Sequence, residues 1–124
     1  MPGGVEHILL VDDEVPILKI TSRILERHGY TVTAEENGQL ALERFKNDPL
    51  SYDLVISDVS MPIMSGDRLA REILAIRPDL PVLLASGYNK TITEESVMKE
   101  GVKGLMQKPL SEKTLLNTIR QVLV

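Results

Sequence analysis

The sequence has no cysteine and no tryptophan, few aromatic residues and no long hydrophobic run. Without cysteine there is no disulfide or thiolate chemistry, which suits a cytoplasmic protein. Hydrophobic residues make up 43% of the chain and aromatic residues only 3%, so a core has to be built from aliphatic side chains. No apolar run approaches the roughly 20 residues of a membrane-spanning helix, and the first residues lack the pattern of a signal peptide. We therefore expect a cytoplasmic protein that does not insert into a membrane.

Positive charge is not in excess either. The 14 basic and 18 acidic residues give a formal net charge of −4, and they are well mixed along the chain. Proteins that bind nucleic acid through its phosphates need a basic face, so this balance argues against direct contact with nucleic acid. A length of 124 residues is typical of one domain. We expect residues 1–5 to form a flexible lead-in and residues 6–124 to form that domain.

Strand-like and helical patterns alternate about five times along the chain. The strand-like segments are EHILLV, TVTAEE, YDLVISD, PVLLAS and KGLMQK. Each is followed by a segment with apolar residues at helical spacing, the first of which runs from Val15 to His28. This alternation predicts an α/β domain with a parallel sheet, and strands rich in aliphatic residues are typical of strands covered by helices on both faces. The order of the strands does not follow from the pattern.

Polar residues follow each predicted strand at the point where it ends. The carboxyl ends of parallel strands meet at one edge of a sheet, and ligands bind beyond that edge. We therefore expect polar residues that are far apart in sequence to converge there. They are Asp12, Asp13 and Glu14 after the first strand, Glu36 and Asn37 after the second, Asp58 after the third, Ser86 and Gly87 after the fourth, and Lys108 and Pro109 after the fifth.

The stretch ILLVDDE places three carboxylates directly after a buried strand. Neighbouring carboxylates repel and resist desolvation, and a bound divalent cation removes that penalty. A site made only of oxygen ligands suits Mg²⁺, which keeps several waters and accepts phosphate as a further ligand. The absence of cysteine and the position of both histidines away from these strand ends argue against zinc.

The same residues include the parts needed for phosphoryl transfer. An aspartate can attack phosphorus and form an acyl phosphate. Lys108 would pair with a carboxylate or phosphate oxygen, and Ser86 offers a hydroxyl donor. Because phosphoryl transfer needs mainly positioning and neutralisation of charge, such a set is chemically sufficient.

Each residue also has an interpretation that involves no chemistry. Asp12 and Asp13 could cap the first helix and place charge in its first turn, and this is the role we favour for Glu14. Asp58 could be a turn residue, and Lys108 an ordinary surface lysine. The combination, rather than any single member, favours a metal-dependent phosphoryl site.

Four motifs in order, ILLVDDE, DLVISDVSMPIMSG, PVLLASGY and GLMQKPL, resemble the receiver domain of bacterial two-component response regulators. The resemblance runs from about His7 to Leu123. It implies a flavodoxin-like α/β fold, with a doubly wound five-stranded parallel sheet in the order 2-1-3-4-5 and helices on both faces. It also implies that Asp58 accepts a phosphoryl group from a histidine kinase or phosphotransfer protein in a phosphorelay.

The resemblance further implies a Mg²⁺ site. Asp13 and Asp58 would bind the ion directly, Asp12 would bind it largely through water, and the backbone carbonyl of Ser60 would complete the protein ligands. The carboxylates of ILLVDDE would then be held next to Asp58 as a cation site.

The other site residues match the family only in part. Ser86 stands where the family has the threonine or serine that closes on the phosphoryl group, and Lys108 matches its phosphate-pairing lysine, whose bond to Pro109 is often cis. The family usually carries an aromatic switch three residues before that lysine, but here the position is Leu105, which has no polar tip to anchor an inward or outward state. Tyr88 would lie close to the site, and we hypothesise that its ring shields the phosphoryl group and slows hydrolysis.

The resemblance makes the chain a signalling protein whose only chemistry is self-catalysed phosphotransfer and autodephosphorylation. Phosphorylation would change the surface of the fourth helix, fifth strand and fifth helix, where a protein partner binds. The segments SGY and GLMQKPL are similar to receivers attached to hybrid histidine kinases. The chain would then be either such a receiver or a stand-alone regulator.

Three other functions stay open. A Mg²⁺-dependent phosphatase with an aspartate nucleophile would carry a second aspartate two residues later as general acid, and position 60 is a serine. A flavin or nucleotide binder of this fold would need a Ser/Thr/Gly-rich loop after the first strand, where this chain has carboxylates. A degenerate receiver would act only as an interaction module.

Overall fold

The structure is a computed structural model that describes residues 3–87 and 92–123. Within these residues five strands and five helices alternate, and no helix is long and apolar enough to cross a membrane. The strands are β1 (His7–Val11), β2 (Thr31–Glu35), β3 (Leu54–Asp58), β4 (Val82–Ser86) and β5 (Gly104–Gln107). The helices are α1 (Val15–Arg27), α2 (Gly38–Asn47), α3 (Gly66–Ile76), α4 (Glu94–Met98) and α5 (Glu112–Leu123).

All five strands pair in one parallel sheet in the order β2-β1-β3-β4-β5. Successive residues of β1 point to opposite faces: Leu9 and Val11 pack with α2, α3 and α4, whereas Ile8 and Leu10 pack with α1 and α5. Every residue of β3 and β4 is buried, which explains their nearly continuous apolar sequences. The fold class and strand order that the sequence predicted are confirmed.

The end of α1 is capped by a glycine. Gly29 has φ +98°, its N–H donates to the carbonyl of Glu26, and the N–H of Tyr30 donates to the carbonyl of Leu25. These two bonds define a Schellman motif, in which the residue after the glycine makes an apolar contact. Tyr30 is buried accordingly, and α1 ends at Arg27, one residue earlier than the sequence indicated.

The starts of α2 and α3 differ in how they are capped. The side-chain oxygen of Asn37 accepts a hydrogen bond from the N–H of Leu40 at 2.8 Å, which caps the start of α2. Ser65 occupies the N-cap position of α3, but its side chain makes no capping bond.

Two helices differ from the sequence pattern. The segment TEESVMKEG after the fourth strand is helical only in part, because α4 stops at Met98 and Gly101 adopts φ +101° after a turn. In α1, Leu25 is buried, but Ile17 and Ile20 are exposed although they belong to the same apolar stripe. Periodicity identifies an apolar face but does not show how much of it the sheet covers.

The amino-terminal residues already contact the domain. The N–H of Gly4 donates to the carbonyl of His28 at 3.1 Å, whereas the side chain of Val5 is exposed. The boundary between lead-in and domain at residues 5 and 6 stays a prediction.

The connection from β3 to α3 folds back tightly on the strand that it leaves. The N–H of Gly66 donates to the carbonyl of Val59 at 2.8 Å, and a Cβ atom at position 66 would lie 2.0 Å from the carbonyl oxygen of Asp58. Real Cβ atoms do not approach backbone oxygen this closely, so only glycine fits here without a shift of the backbone. Gly66 thereby fixes the backbone beside Asp58.

Replacement of Gly66 by alanine should lower the free energy of unfolding by about 1–3 kcal/mol or more, because the added methyl group overlaps the strand. Helix propensity alone predicts an increase in the free energy of unfolding, since alanine is preferred to glycine in a helix. Urea denaturation followed by circular dichroism measures the change. Gly87→Ala is the matched control, because none of the described atoms lies within 4 Å of a Cβ at that position. Equal midpoints for both variants would contradict the close approach.

Candidate functional site

The carboxyl edge of the sheet brings together residues from four strand ends. Asp12 directly follows β1, Asp58 ends β3, and Ser86 ends β4. The N–H of Lys108 donates to the carbonyl of Ser86 at 2.9 Å, which holds the chain after β5 beside β4. The peptide bond between Lys108 and Pro109 is cis. The convergence predicted from the sequence therefore holds for these residues.

The side chain of Lys108 lies among three carboxylates. Its Nζ atom is 3.1 Å from Oδ2 of Asp12, 3.5 Å from Oε1 of Glu14 and 3.5 Å from Oδ2 of Asp58. Asp12 and Asp58 are buried, and Lys108 is mostly buried. Charge-assisted contacts in such a partly dehydrated site are stronger than on an open surface, so this ammonium organises the cluster.

Glu14 lies at the N-cap position of α1, in keeping with the role at the helix start that the sequence suggested, but its side chain makes no capping bond. Its backbone N–H instead donates to Oδ1 of Asp12 at 3.0 Å, while its carboxylate faces Lys108. The helix begins at Val15 as the sequence indicated, whereas the contact between Glu14 and Lys108 was not predicted.

Three carboxylates lie close enough to share one cation. Oxygen atoms of Asp12, Glu14 and Asp58 are all within 4.8 Å of one another. Their charges exceed that of Lys108 by two, and oxygen is the ligand type that Mg²⁺ prefers. The residues therefore fit a divalent ion of this kind.

Asp13 and Ser60 are placed at the opening rather than within this cluster. Both line an open cavity of about 580 Å³ that also borders Glu14, Asp58 and Lys108. Asp13 is not among the three residues whose carboxylate oxygens cluster, although it is near enough to Asp58 to affect its pKa. The cavity gives a phosphate-sized group a route from solvent to Asp58.

The pKa values of Asp58 and Lys108 are both raised, but for different physical reasons. Burial raises the pKa of Asp58, the charge of Lys108 opposes this, and the charges of Asp12 and Asp13 add to the rise. Burial alone would lower the pKa of Lys108, but its hydrogen bond to Asp12 and the neighbouring carboxylates outweigh burial and raise it. The ionised form of Asp58 is thus incompletely compensated, whereas Lys108 stays charged.

Ser86 presents a buried hydroxyl at the end of β4, the strand next to the one that ends in Asp58. Its Oγ atom has no hydrogen-bond partner within residues 3–87 and 92–123. The residue lines a cavity with Gly87, Leu105 and Gln107 rather than the 580 Å³ cavity that borders Asp58. An unpaired buried hydroxyl costs about 1–3 kcal/mol, so this oxygen is available to an acceptor.

Of the two further residues that the sequence placed near the site, the structure describes Leu105 but not Tyr88. Leu105 is half-buried and packs inward against the cluster that includes Val59 and Met64. Tyr88 lies outside the described residues, so its shielding role stays a hypothesis.

Other polar residues serve the fold elsewhere. Asn37 caps α2, and neither it nor Glu36 is among the residues lining the 580 Å³ cavity. Nε2 of His7 is 2.7 Å from Oγ1 of Thr33, and Nε2 of His28 is 2.9 Å from Oε1 of Glu112. Both histidines therefore make polar side-chain contacts away from the carboxylate cluster.

Residues 8–120 match the family model described as the response regulator receiver domain. The chain is 32% identical over 120 residues to the response regulator receiver protein CpdR of Brucella abortus, covering 96% of this chain and 98% of that protein. It is 34% identical over 121 residues to the sensor kinase CckA of the same organism, covering 98% of this chain but 13% of the kinase.

The fold has close structural counterparts. A response regulator receiver domain protein from Clostridium thermocellum superposes with a TM-score of 0.90 at 31% identity, covering 95% of this chain and 94% of that one. Several curated relatives are much longer than this chain, which spans 13%, 27% and 21% of three of them. The relatives thus include both single-domain proteins and larger proteins that contain a matching segment.

Asp58→Asn should raise the free energy of unfolding at pH 7 in metal-free buffer, by the order of 1 kcal/mol. The pKa of Asp58 is higher in the folded protein than in the unfolded chain, so its ionised form destabilises the fold above the folded pKa. Below the pKa of the unfolded chain the carboxyl group is protonated in both states, and this destabilisation disappears. The increase in stability from asparagine should therefore shrink as the pH falls toward about 4.

Urea denaturation at a series of pH values, with EDTA present, measures this difference. Asp79→Asn is the matched control, since Asp79 is highly exposed. An Asp58→Asn variant that is less stable than the wild type at pH 7, or whose advantage grows on acidification, would contradict the account of the cluster.

Proposed function

The chain belongs to the response regulator receiver family of two-component systems, and from that membership we propose that Asp58 is its phosphoacceptor. Asp58 ends β3 at the carboxyl edge of the sheet, borders the open cavity and carries the poorly compensated carboxylate. The single observation that carries the proposal is the position of the Lys108 ammonium 3.5 Å from this carboxylate. A nucleophile and a fixed cation are thereby adjacent in a water-accessible site.

The proposed reaction transfers one phosphoryl group. A carboxylate oxygen of Asp58 forms a bond to phosphorus while the bond between phosphorus and the histidine nitrogen of the donor breaks. The electron pair of that bond leaves with the imidazole, and the product is an acyl phosphate on Asp58. Lys108 then pairs with a phosphoryl oxygen, and the unpaired hydroxyl of Ser86 donates to another.

We propose that Asp12, Asp13, Asp58 and the backbone carbonyl of Ser60 hold Mg²⁺. When bound, the ion neutralises charge on the phosphoryl oxygens. The oxygen donors around the cavity and the two excess negative charges support such a site. Glu14 is a competing ligand, because its carboxylate belongs to the close cluster and that of Asp13 does not.

Phosphorylation would be read by other proteins rather than by nucleic acid. The donor is a histidine kinase or a phosphotransfer protein, and the partner-binding surface is formed by α4, β5 and α5. Leu105 lies on β5 and packs inward in this structure, so its displacement is the simplest link between Ser86 and that surface. The chain would act in the cytoplasm, and its only chemistry would be its own phosphorylation and dephosphorylation.

Two alternatives have less support. A Mg²⁺-dependent phosphatase needs a general acid two residues after the nucleophile, and that residue is Ser60, an exposed serine. A degenerate receiver would lack part of the acid cluster or the lysine, and this chain has both.

The proposal is tested by the intact mass of the protein after incubation with Mg²⁺ and acetyl phosphate. The wild type should gain the mass of one phosphoryl group, and Asp58→Asn should gain none. The conservative control Asp79→Asn should label like the wild type. A folded wild-type protein that gains no mass, or an Asp58→Asn variant that labels equally, would rule out Asp58 as the acceptor under these conditions.

Titration calorimetry with Mg²⁺ distinguishes the proposed ligands. Asp13→Asn should weaken Mg²⁺ binding by roughly tenfold or more, because a direct carboxylate ligand is lost, and Glu14→Gln should weaken it less. The reverse order would assign the direct contact to Glu14, as the clustering of its carboxylate suggests.

A further inference from the structure

Ser57 is a polar residue inside an aliphatic part of the core. It precedes Asp58 in β3 and is only 1% exposed. Alternation along the strand places its side chain on the same face as Val55, which belongs to the cluster under α2, α3 and α4. Its partners in the neighbouring strands, Val11 and Leu84, belong to the same apolar cluster. A hydroxyl at this position has lost its contact with water, so its hydrogen bond is the feature to explain.

The hydroxyl of Ser57 has one partner among the described residues, and that partner is the main chain of the next residue. Oγ of Ser57 donates to the carbonyl oxygen of Asp58 at 2.9 Å. Ser57 lines neither the 580 Å³ cavity nor the cavity beside Ser86, so it does not reach a group bound in either. Any influence of this hydroxyl on the site is therefore exerted through the backbone of Asp58.

The carbonyl that accepts this bond lies where the sheet no longer holds the chain on both sides. The pairing between β1 and β3 ends at Val11 and Ser57, so Asp58 is paired only with Ala85 of β4. The same carbonyl oxygen lies so close to Gly66 that a Cβ atom there would be 2.0 Å away. The hydroxyl of Ser57 thus holds this carbonyl at a point where pairing with β1 has ended.

The direction of this carbonyl affects the direction of the Asp58 side chain. The carbonyl belongs to the planar peptide group between Asp58 and Val59, so a rotation of that plane changes ψ of Asp58. The carboxylate of Asp58 lies 3.5 Å from Nζ of Lys108, a spacing that such a change would alter. Phosphoryl transfer depends mainly on positioning, and a misplacement of about 1 Å can slow a reaction by on the order of a hundredfold.

We propose that Ser57 is a positioning residue for phosphoryl transfer to Asp58, an inference that rests on the proposed function of Asp58. Its hydroxyl fixes the peptide group after Asp58 and so keeps the carboxylate directed at the site. Without the hydroxyl the buried carbonyl loses a donor, and the peptide plane turns toward another. Ser57 makes no contact with the phosphoryl group itself.

Threonine and valine at position 57 form a matched pair for the test. The two side chains have the same shape and both suit a strand, but only threonine keeps a hydroxyl. The labelling rate is measured from the intact mass over time with acetyl phosphate at saturating Mg²⁺, in conditions where urea denaturation shows both variants to be folded. Ser57→Thr should label within about twofold of the wild-type rate, and Ser57→Val roughly threefold to tenfold more slowly.

Two further measurements separate positioning from stability. A hydroxyl that served only the fold would change the urea midpoint of Ser57→Val but not the labelling rate of its folded form. The carbonyl carbon shift of Asp58 in the metal-free protein, measured by NMR, should move in Ser57→Val and return toward the wild-type value in Ser57→Thr. Thr118→Val is the control, because it removes a hydroxyl on α5 that also donates to a backbone carbonyl, that of Thr114, and it should label like the wild type.

The outcomes distinguish this inference from the proposed function. Equal labelling rates for Ser57→Thr and Ser57→Val would overturn the role of the hydroxyl, whether both rates are fast or slow. An unchanged carbonyl shift in Ser57→Val would overturn it as well, and this result does not depend on phosphorylation. A wild-type protein that gains no mass would refute Asp58 as the phosphoacceptor, and the inference about Ser57 would fall with it.

Discussion

The ammonium of Lys108, held among the carboxylates of Asp12, Glu14 and Asp58, is the interaction on which the site depends. Without it, three acidic groups at the end of a buried sheet would be strongly repulsive. With it, two negative charges remain in excess, which leaves the cluster matched to a divalent cation. The same ammonium is close enough to Asp58 to meet a phosphoryl group that arrives there, so one side chain serves both the resting and the proposed reacting state.

The sheet makes this arrangement possible because it separates a dry core from an acidic edge. β3 and β4 are buried along their whole length, and their last residues, Asp58 and Ser86, are polar. The loop after β3 is held by close backbone contacts. Gly66 allows α3 to start against the carbonyl of Asp58, and Ile63, with φ 72°, lies in the chain between them. The loop that bears the proposed metal ligand Ser60 is therefore tightly constrained at both of its ends.

Much of this could be predicted from the sequence because strand ends in a parallel sheet converge whatever their separation along the chain. Asp12, Asp58, Ser86 and Lys108 were found in this way, and the strand order followed from the resemblance to receivers. The contact between Glu14 and Lys108 could not be predicted, since it depends on how two side chains from distant parts of the chain are oriented. The positive φ of Ile63 also leaves no pattern in hydrophobicity, because it is a property of the backbone. The short α4 reflects the same limit, in that polar helix ends are set by local hydrogen bonds.

The most direct test of the account is to identify the carboxyl group that carries the phosphoryl group. Reduction of the phosphorylated protein with borohydride converts an acyl phosphate into an alcohol, and peptide mass spectrometry then locates the altered residue. The account predicts that the change maps to Asp58 and to no other acidic residue of the cluster. A change at Asp12, Asp13 or Glu14 instead would contradict the assignment of nucleophile and ligands.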